Sequence, residues 1–300
     1  MNYVNNEDII RMSGMMFMLL MWITIFALNG LVYIVRKRLL VIEMYVTSIF
    51  SVYLALFADS ILGGRFNLYS YFEAGVDWID FVGAIGIYPA INILFLAFFP
   101  AKRNLIIKGM YILGWTIFAL CYEFVAAHYS SFFQYSGWRL IYSVPIYPIL
   151  YMTLLYNLRF VDKLLGIKKT IFHLTPLEWY GSLFFILYMN LFIDAVLKGR
   201  YELYYYVVKD VHPFDFFYRL IFLSVPLLVF LSRQANYPTL WRYLVWIAVL
   251  SVIQQCAAAL NLFHTNNWNI SLSIAQFAVI LLLSWLNLRL LRYMKRGTDL

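Results

Sequence analysis

Charge is scarce in this chain. Asp, Glu, Lys and Arg make up 13% of its 300 residues, about half the share usual in globular proteins, and that leaves too little polar cover for a soluble domain. Cysteine is scarcer still. Cys121 and Cys256 both lie inside apolar runs, where an unpaired thiol behaves as a small hydrophobe, and they lack ligand-type spacing, so they indicate neither a redox compartment nor a metal site. There is no HExxH, Walker A, GxSxG or dinucleotide fingerprint, and ALNG at 27–30 and LLGI at 164–167 are not phosphate loops. No cofactor, metal centre or catalytic residue is expected. The four histidines, His128, His173, His212 and His264, are too far apart in sequence for a short-spaced ligand pair and read as interfacial. The N-terminus MNYVNNEDIIR has acids where a signal peptide needs a basic segment, so the first apolar run is expected to be retained. Asn2 and the absence of a CaaX box argue against lipidation.

What the chain has is hydrophobicity: 64% of its residues are apolar, 20% are aromatic, and the mean hydropathy is +0.76. Runs long enough to cross about 30 Å of hydrocarbon recur at roughly 14–35, 41–62, 79–99, 108–128, 139–160, 176–197, 214–232, 239–261 and 270–291. The expected fold is therefore all-α, a polytopic membrane protein with about nine transmembrane helices. Pro89, Pro145 and Pro148 fall inside runs, which membrane helices tolerate with a kink.

The net charge of +8 would suit nucleic acid if read alone, but its distribution argues otherwise. Every odd-numbered connection is basic: Arg36, Lys37 and Arg38; Lys102, Arg103 and Lys108; Arg159, Lys163, Lys168 and Lys169; Arg233 and Arg242; then Arg289, Arg292, Lys295 and Arg296 in the tail. The even ones are mixed, or carry no Lys or Arg at all in 262–269. This pattern puts the N-terminus outside and the C-terminus in the cytoplasm of a plasma membrane, and an odd span count agrees with it.

The sequence also repeats. A shift of 135 aligns 43–81 with 178–216, and 16 of the 39 positions are identical, among them Glu43/Glu178, Asp59/Asp194, Gly64/Gly199, Arg65/Arg200, Tyr69/Tyr204, Tyr71/Tyr206, Val76/Val211 and Asp80/Asp215. Shared hydrophobicity does not place acids, Gly-Arg and tyrosines in register. A shift of 130 aligns 138–160 with 268–290, matching Trp138/Trp268, Ser143/Ser273 and NLR at 157–159 and 287–289. The expected organisation is an N-terminal helix and basic loop (1–39), a first four-helix repeat (40–169) and a second with a cytoplasmic tail (170–300). Because four spans are an even number, the two repeats enter the membrane from the same side and are parallel, related by a pseudo-two-fold axis along the membrane normal.

The stretch Ile42–Arg103, with ADSILGGRFNLYSYFEAGVDW and GIYPAINILFLAFFP, followed by YILGWTIFALCYEF and SGWRLIYSVPIYPILY, resembles a family of small, uncharacterised multi-span membrane proteins of spore-forming Gram-positive bacteria. The resemblance covers roughly 40–165, persists through 178–206 and then fades. It implies a bacterial plasma-membrane setting, linked to sporulation, and a fused, double-length relative. It supplies no catalytic roles.

Few polar residues remain to carry function. Asp59 and Asp194 stand near the ends of spans two and six, each six residues before Arg65 or Arg200, with Gly64 or Gly199 expected to cap the helix between them. Tyr69, Tyr71, Tyr204 and Tyr206 read as an aromatic belt. The same clusters meeting at the pseudo-dyad would instead form an outward-facing vestibule. Glu43 and Glu178, sixteen residues earlier and about 24 Å away at 1.5 Å per residue, read as helix-end anchors. Glu123 lies within the fourth span, where the second repeat has Gln254 and Gln255, and is a candidate for cation binding, protonation or helix–helix hydrogen bonding.

The first reading is a non-enzymatic membrane component that binds a membrane-protein partner among the lipids of an envelope or spore-related complex. The alternatives are a small-solute or ion transporter using Asp59, Glu123 and Asp194, and a membrane-embedded lipid-modifying enzyme. Nucleic acid is excluded as a partner.

Overall fold

A computed structural model describes residues 6–71, 78–129, 133–168, 170, 172–207, 212–234, 239–266 and 268–297. Of the repeat matches, Val76/Val211 fall outside the described residues, as do the loop charges Glu73, Asp77, Lys169, Lys209 and Asp210. The helices are α1 (Asn6–Val35), α2 (Val41–Asp59), α3 (Trp78–Phe98), α4 (Leu105–Tyr129), α5 (Leu140–Leu165), α6 (Pro176–Asp194), α7 (Pro213–Tyr218), α8 (Val225–Gln234), α9 (Leu240–Ala259) and α10 (Ile270–Arg296). Among the described residues four short strands join them, β1 (Tyr69–Tyr71), β2 (Phe133–Tyr135), β3 (Tyr204–Tyr206) and β4 (Phe263–Thr265).

The chain is an all-α multi-pass membrane protein. Among the described residues eight helical stretches are long and apolar enough to span: Leu19–Arg38, Val41–Arg65, Phe81–Phe98, Leu105–Tyr129, Pro176–Arg200, Pro213–Arg233, Leu240–Ala259 and Ile270–Arg296. The run at 139–160, expected as a ninth span, forms α5, a helix of 26 residues that is not among the eight. Its length suffices, but Tyr142, Tyr147, Tyr151, Tyr156, Pro145 and Pro148 dilute its apolar character, and Arg159, Asp162 and Lys163 charge its last turns.

The helix ends differ from the expectation of glycine caps. After Asp59 and again after Asp194 the helix continues as a widened, π-type turn, Ser60–Arg65 and Ala195–Arg200, so Gly64 and Gly199 lie inside the helix. The reversal comes two residues later, at Asn67 (φ 47°) and Glu202 (φ 47°). Both adopt the left-handed conformation that asparagine tolerates and that costs glutamate more. At the second end Leu203 N–H reaches back to the Leu197 carbonyl at 2.9 Å.

Past that reversal each chain segment enters a strand pair that the sequence reading did not anticipate. Tyr69, Ser70 and Tyr71 face Tyr135, Gln134 and Phe133. Tyr204, Tyr205 and Tyr206 face Thr265, His264 and Phe263. Both pairs are antiparallel, and both begin with a bond to the leucine before the strand: Ser136 N–H to Leu68 O at 2.9 Å, Asn266 N–H to Leu203 O at 3.0 Å. Tyrosine favours strands as readily as membrane interfaces, so YSY and YYY suit a strand as well as the aromatic belt or vestibule expected from the sequence.

Packing divides the chain into two compact units, Met1–Leu40 with Phe66–Phe160, and Val41–Arg65 with Val161–Leu300. This grouping by contact is a different quantity from a division by sequence repeat. In the first unit α1 lies on α3. Met21 buries against Ile87, and a Cβ on Gly86 would stand 2.8 Å from the Ile25 side chain, so glycine is what lets the helices approach. Asn29 Nδ2 donates to Gly86 O at 2.9 Å across that contact. Phe95, Tyr111, Trp115 and Tyr151 cluster on one another, with Phe95 and Tyr151 ring centres 4.6 Å apart.

In the second unit α2 packs on α6 and α6 on α10, with Gly181 admitting Leu291 and Val46. Aromatic contacts join α2 to α6, Phe50 to Phe184 at 4.9 Å and Tyr53 to Phe184 at 5.3 Å. The core holds Ile186, Leu227, Phe230, Leu250, Phe277 and Ile280. α6 starts from a capping box, in which Thr175 and Glu178 answer each other's backbone N–H and Pro176 occupies the first turn.

Candidate functional site

Asp194 closes α6 and is buried. The wide turn and the reversal at Glu202 fold β3 back over it, so the hydroxyls of Tyr204 and Tyr206 donate to its Oδ1 at 2.5 and 2.9 Å. Its Oδ2 faces Arg219 Nε at 2.8 Å. The spacing in sequence pointed to Arg200, but the guanidinium at Asp194 is that of Arg219, which opens the π-type segment Arg219–Ser224 between α7 and α8, while Arg200 is exposed. A second ion pair lies alongside, Lys198 Nζ to Asp215 Oδ2 at 2.6 Å, and Lys198 stands 5.3 Å from the centre of the Tyr206 ring. Asp215 Oδ2 also accepts from His212 N–H at 3.3 Å, as half of the capping box that starts α7. Two anions are thus answered by two cations, as burial of charge requires. Burial first, and the Asp194 charge second, push the Tyr204 and Tyr206 hydroxyls well above the ordinary tyrosine range, so both stay protonated as donors.

Glu123 is satisfied differently. Its carboxylate is buried on α4 and, among the described residues, meets neutral donors: Tyr135 and Ser143 hydroxyls on Oε1, both at 2.8 Å, and the Tyr147 hydroxyl on Oε2 at 2.6 Å. Trp138 Nε1 donates to Ser143 Oγ at 3.0 Å and thereby aims the serine hydrogen at the acid. The cluster ties β2 and α5 to α4. Burial and the neighbouring carboxylate push the Tyr135 hydroxyl up as well. In the second unit Trp268 Nε1 donates to Ser273 Oγ at 2.8 Å. Of the two glutamines there, Gln254 is buried and Gln255 exposed.

The remaining candidates are placed as follows. Asp59 is half-buried and Arg65 exposed, at the two ends of the first wide turn, and both are engaged. Tyr69 is buried against Phe133 and Trp138, as Tyr204 is against Phe263 and Trp268. Tyr71 pairs through its backbone, and its side chain lies outside the described part. Glu43 sits in the first turn of α2 and hydrogen-bonds Asp162. Glu178, besides capping α6, pairs with Arg292 at 3.0 Å, and Arg292 also donates to His173 O.

Sequence reasoning missed Arg219, Lys198 and Asp215 as partners of the Asp194 region, and Tyr135, Ser143 and Tyr147 as partners of Glu123. Ser143 and Trp138 left a signal, since both recur at a shift of 130. Arg219 left none, because Ala84 stands 135 residues before it. Among the described residues no group of three or more His, Cys, Asp or Glu could hold a metal ion. His128 stacks on Phe124 and His264 on Tyr205. Cys121 and Cys256 are exposed on membrane-spanning helices.

A scan against protein-family models matches none, and comparison with the curated proteins and with the solved structures finds no match either.

Proposed function

We propose that the chain is a non-enzymatic, multi-pass component of a bacterial plasma membrane that works by binding a second membrane protein, in an envelope or spore-related complex. The observation that carries this reading is where the acids point. Asp194 and Glu123 each spend both carboxylate oxygens on groups of their own unit, leaving little to coordinate a solute or attack a lipid. The surface of α4, by contrast, is apolar and open. Ile106, Met110, Leu113 and Ile117 are exposed, and a Cβ on Gly109 or Gly114 would meet nothing within 4 Å. Small residues on an open membrane helix let a partner backbone approach closely.

The reading includes nine spans with α5 as the fifth, the N-terminus outside, and two parallel four-helix repeats. Several positions related by 135 or 130 support the repeat: the wide turns after Asp59 and Asp194, the left-handed Asn67 and Glu202, the strand registers, and the Trp-to-Ser bonds. α2 and α6, the first helices of the two proposed repeats, pack on each other.

Purification in mild detergent tests the partner reading. A stoichiometric companion is expected with the native chain and lost with Gly109→Leu/Gly114→Leu, and a reproducibly solitary native protein would overturn the reading. Transport retains one supporting observation, the buried Asp215 Oδ1 and Tyr218 hydroxyl, which have no hydrogen-bond partner among the described residues. Ligand-dependent flux in proteoliposomes that falls with Asp194→Asn or Glu123→Gln would favour transport instead.

A further inference from the structure

The first unit gathers positive charge at one end and does not answer it. α1 runs into a tight turn, Arg36–Arg38, in which no residue is buried. The connection from α3 to α4 carries exposed Lys102 and Arg103, and Lys108 stands in the first turn of α4, where there is no acid. These segments converge because α1 packs along α3, and the Arg38 guanidinium lies 4.2 Å over the Phe98 ring at the end of α3. Arg36 is laid in the same way over Tyr33, at 4.0 Å. Among the described residues none of these six cations has a carboxylate partner. Membrane-orientation bias accounts for Lys and Arg in either loop, but it does not require the two loops to meet or their guanidinia to rest on aromatic rings.

We infer that this end of α1, α3 and α4 binds the phosphodiester headgroup of an anionic phospholipid. Leu19–Arg38 and Phe81–Phe98 are long and apolar enough to span, so the cations that end the first and follow the second within five residues stand at headgroup depth. Guanidinium forks match phosphate oxygens in pairs, and lysines add point charges. Directly beside the patch, Leu31, Ile34 and Leu105 are exposed, an apolar surface for the acyl chains that a free phosphate would not use.

Native mass spectrometry of the full chain in detergent tests the assignment, with phosphatidylglycerol and phosphatidylcholine as probes. Phosphatidylglycerol should be retained in preference, and Lys102→Gln/Arg103→Gln, both exposed, should weaken its retention at least ~tenfold, since each basic residue near an anionic headgroup contributes on the order of a fivefold factor. Phe98→Leu keeps every charge and should weaken retention less, through Arg38 alone. Arg233→Gln/Arg242→Gln should leave retention unchanged. Equal retention of the two lipids, equal loss in the control variant, or displacement by millimolar inorganic phosphate would each overturn the proposal.

Discussion

Replacing Arg219 by methionine keeps most of the aliphatic volume and removes the guanidinium. Asp194 would still accept from Tyr204 and Tyr206 on Oδ1, but its Oδ2, now 2.8 Å from Arg219 Nε, would face no cation. The four charges Asp194, Asp215, Lys198 and Arg219 balance, and the variant leaves a net negative charge among residues that are almost fully buried. Breaking a buried pair by removing one partner costs ~3–5 kcal/mol, more than losing one hydroxyl donor to a charged acceptor, which costs ~1.5–3 kcal/mol. Arg219→Met should therefore be worse than either Tyr204→Phe or Tyr206→Phe. Asp194→Asn/Arg219→Met removes both charges and keeps an acceptor for the tyrosines, so it should recover at least ~2 kcal/mol relative to the sum of the single changes. Unfolding of the purified chain in mixed micelles by titrated anionic detergent, followed by tryptophan fluorescence, provides the measurement. Arg233→Met, at an exposed arginine, is the reference. If Arg219→Met falls within ~1 kcal/mol of it, or if the double variant is no better than the sum of the singles, the pair is not what stabilises this end of α6.

Three further outcomes follow from the same geometry. Glu123→Leu should destabilise by at least ~3 kcal/mol, because it leaves the Tyr135, Ser143 and Tyr147 hydroxyls without their acceptor, whereas Glu123→Gln should cost about half as much; the same micelle titration separates them, and equal costs would refute the cluster's role. Ser143→Ala should cost ~2–3 kcal/mol and Ser273→Ala ~1–2 kcal/mol, since Ser143 serves both Trp138 and Glu123 while Ser273 accepts from Trp268; the reverse order in fluorescence-monitored unfolding would contradict the structure. Tyr135, Tyr204 and Tyr206 have raised folded-state values, so their contribution is fully present below the unfolded tyrosine value of about 10 and is lost as pH rises from there towards the folded values. Stability should be flat in this respect through neutral pH and fall above about pH 10, with phenolate absorbance from the buried Tyr204 and Tyr206 appearing only at the alkaline unfolding step; earlier ionisation of those two would show that they are not buried donors.

Membrane class was legible because it depends on composition and run length, which need no tertiary information. A chain with 13% charged residues and recurrent apolar runs can satisfy its backbone in lipid only as helices or a closed barrel, and the length of the runs selects helices. α5 marks the limit of that reasoning. Tyrosines and prolines thin its apolar character, so counting runs gives nine spans where, among the described residues, eight meet the hydropathy required.

The residues of the candidate site were visible too, since acids are conspicuous in an apolar chain. Their partners were not. Asp194 and Arg200 are six residues apart and looked like a pair, but the helix widens after Asp194 instead of ending at Gly199, and β3 returns over the acid. That brings Tyr204, Tyr206 and the more distant Arg219 to it. Hydrogen-bond partners across a bundle depend on how helices pack and where turns re-aim a side chain, and one sequence carries no record of either. By itself, then, the sequence determined solvent, helical class and which polar residues stand out, because each follows from transfer energies summed along the chain. Which partner each acid takes, and that two short strand pairs close over the helix ends, was decided only by tertiary structure, because a buried carboxylate is stabilised by whatever donors the fold brings within 3 Å of it.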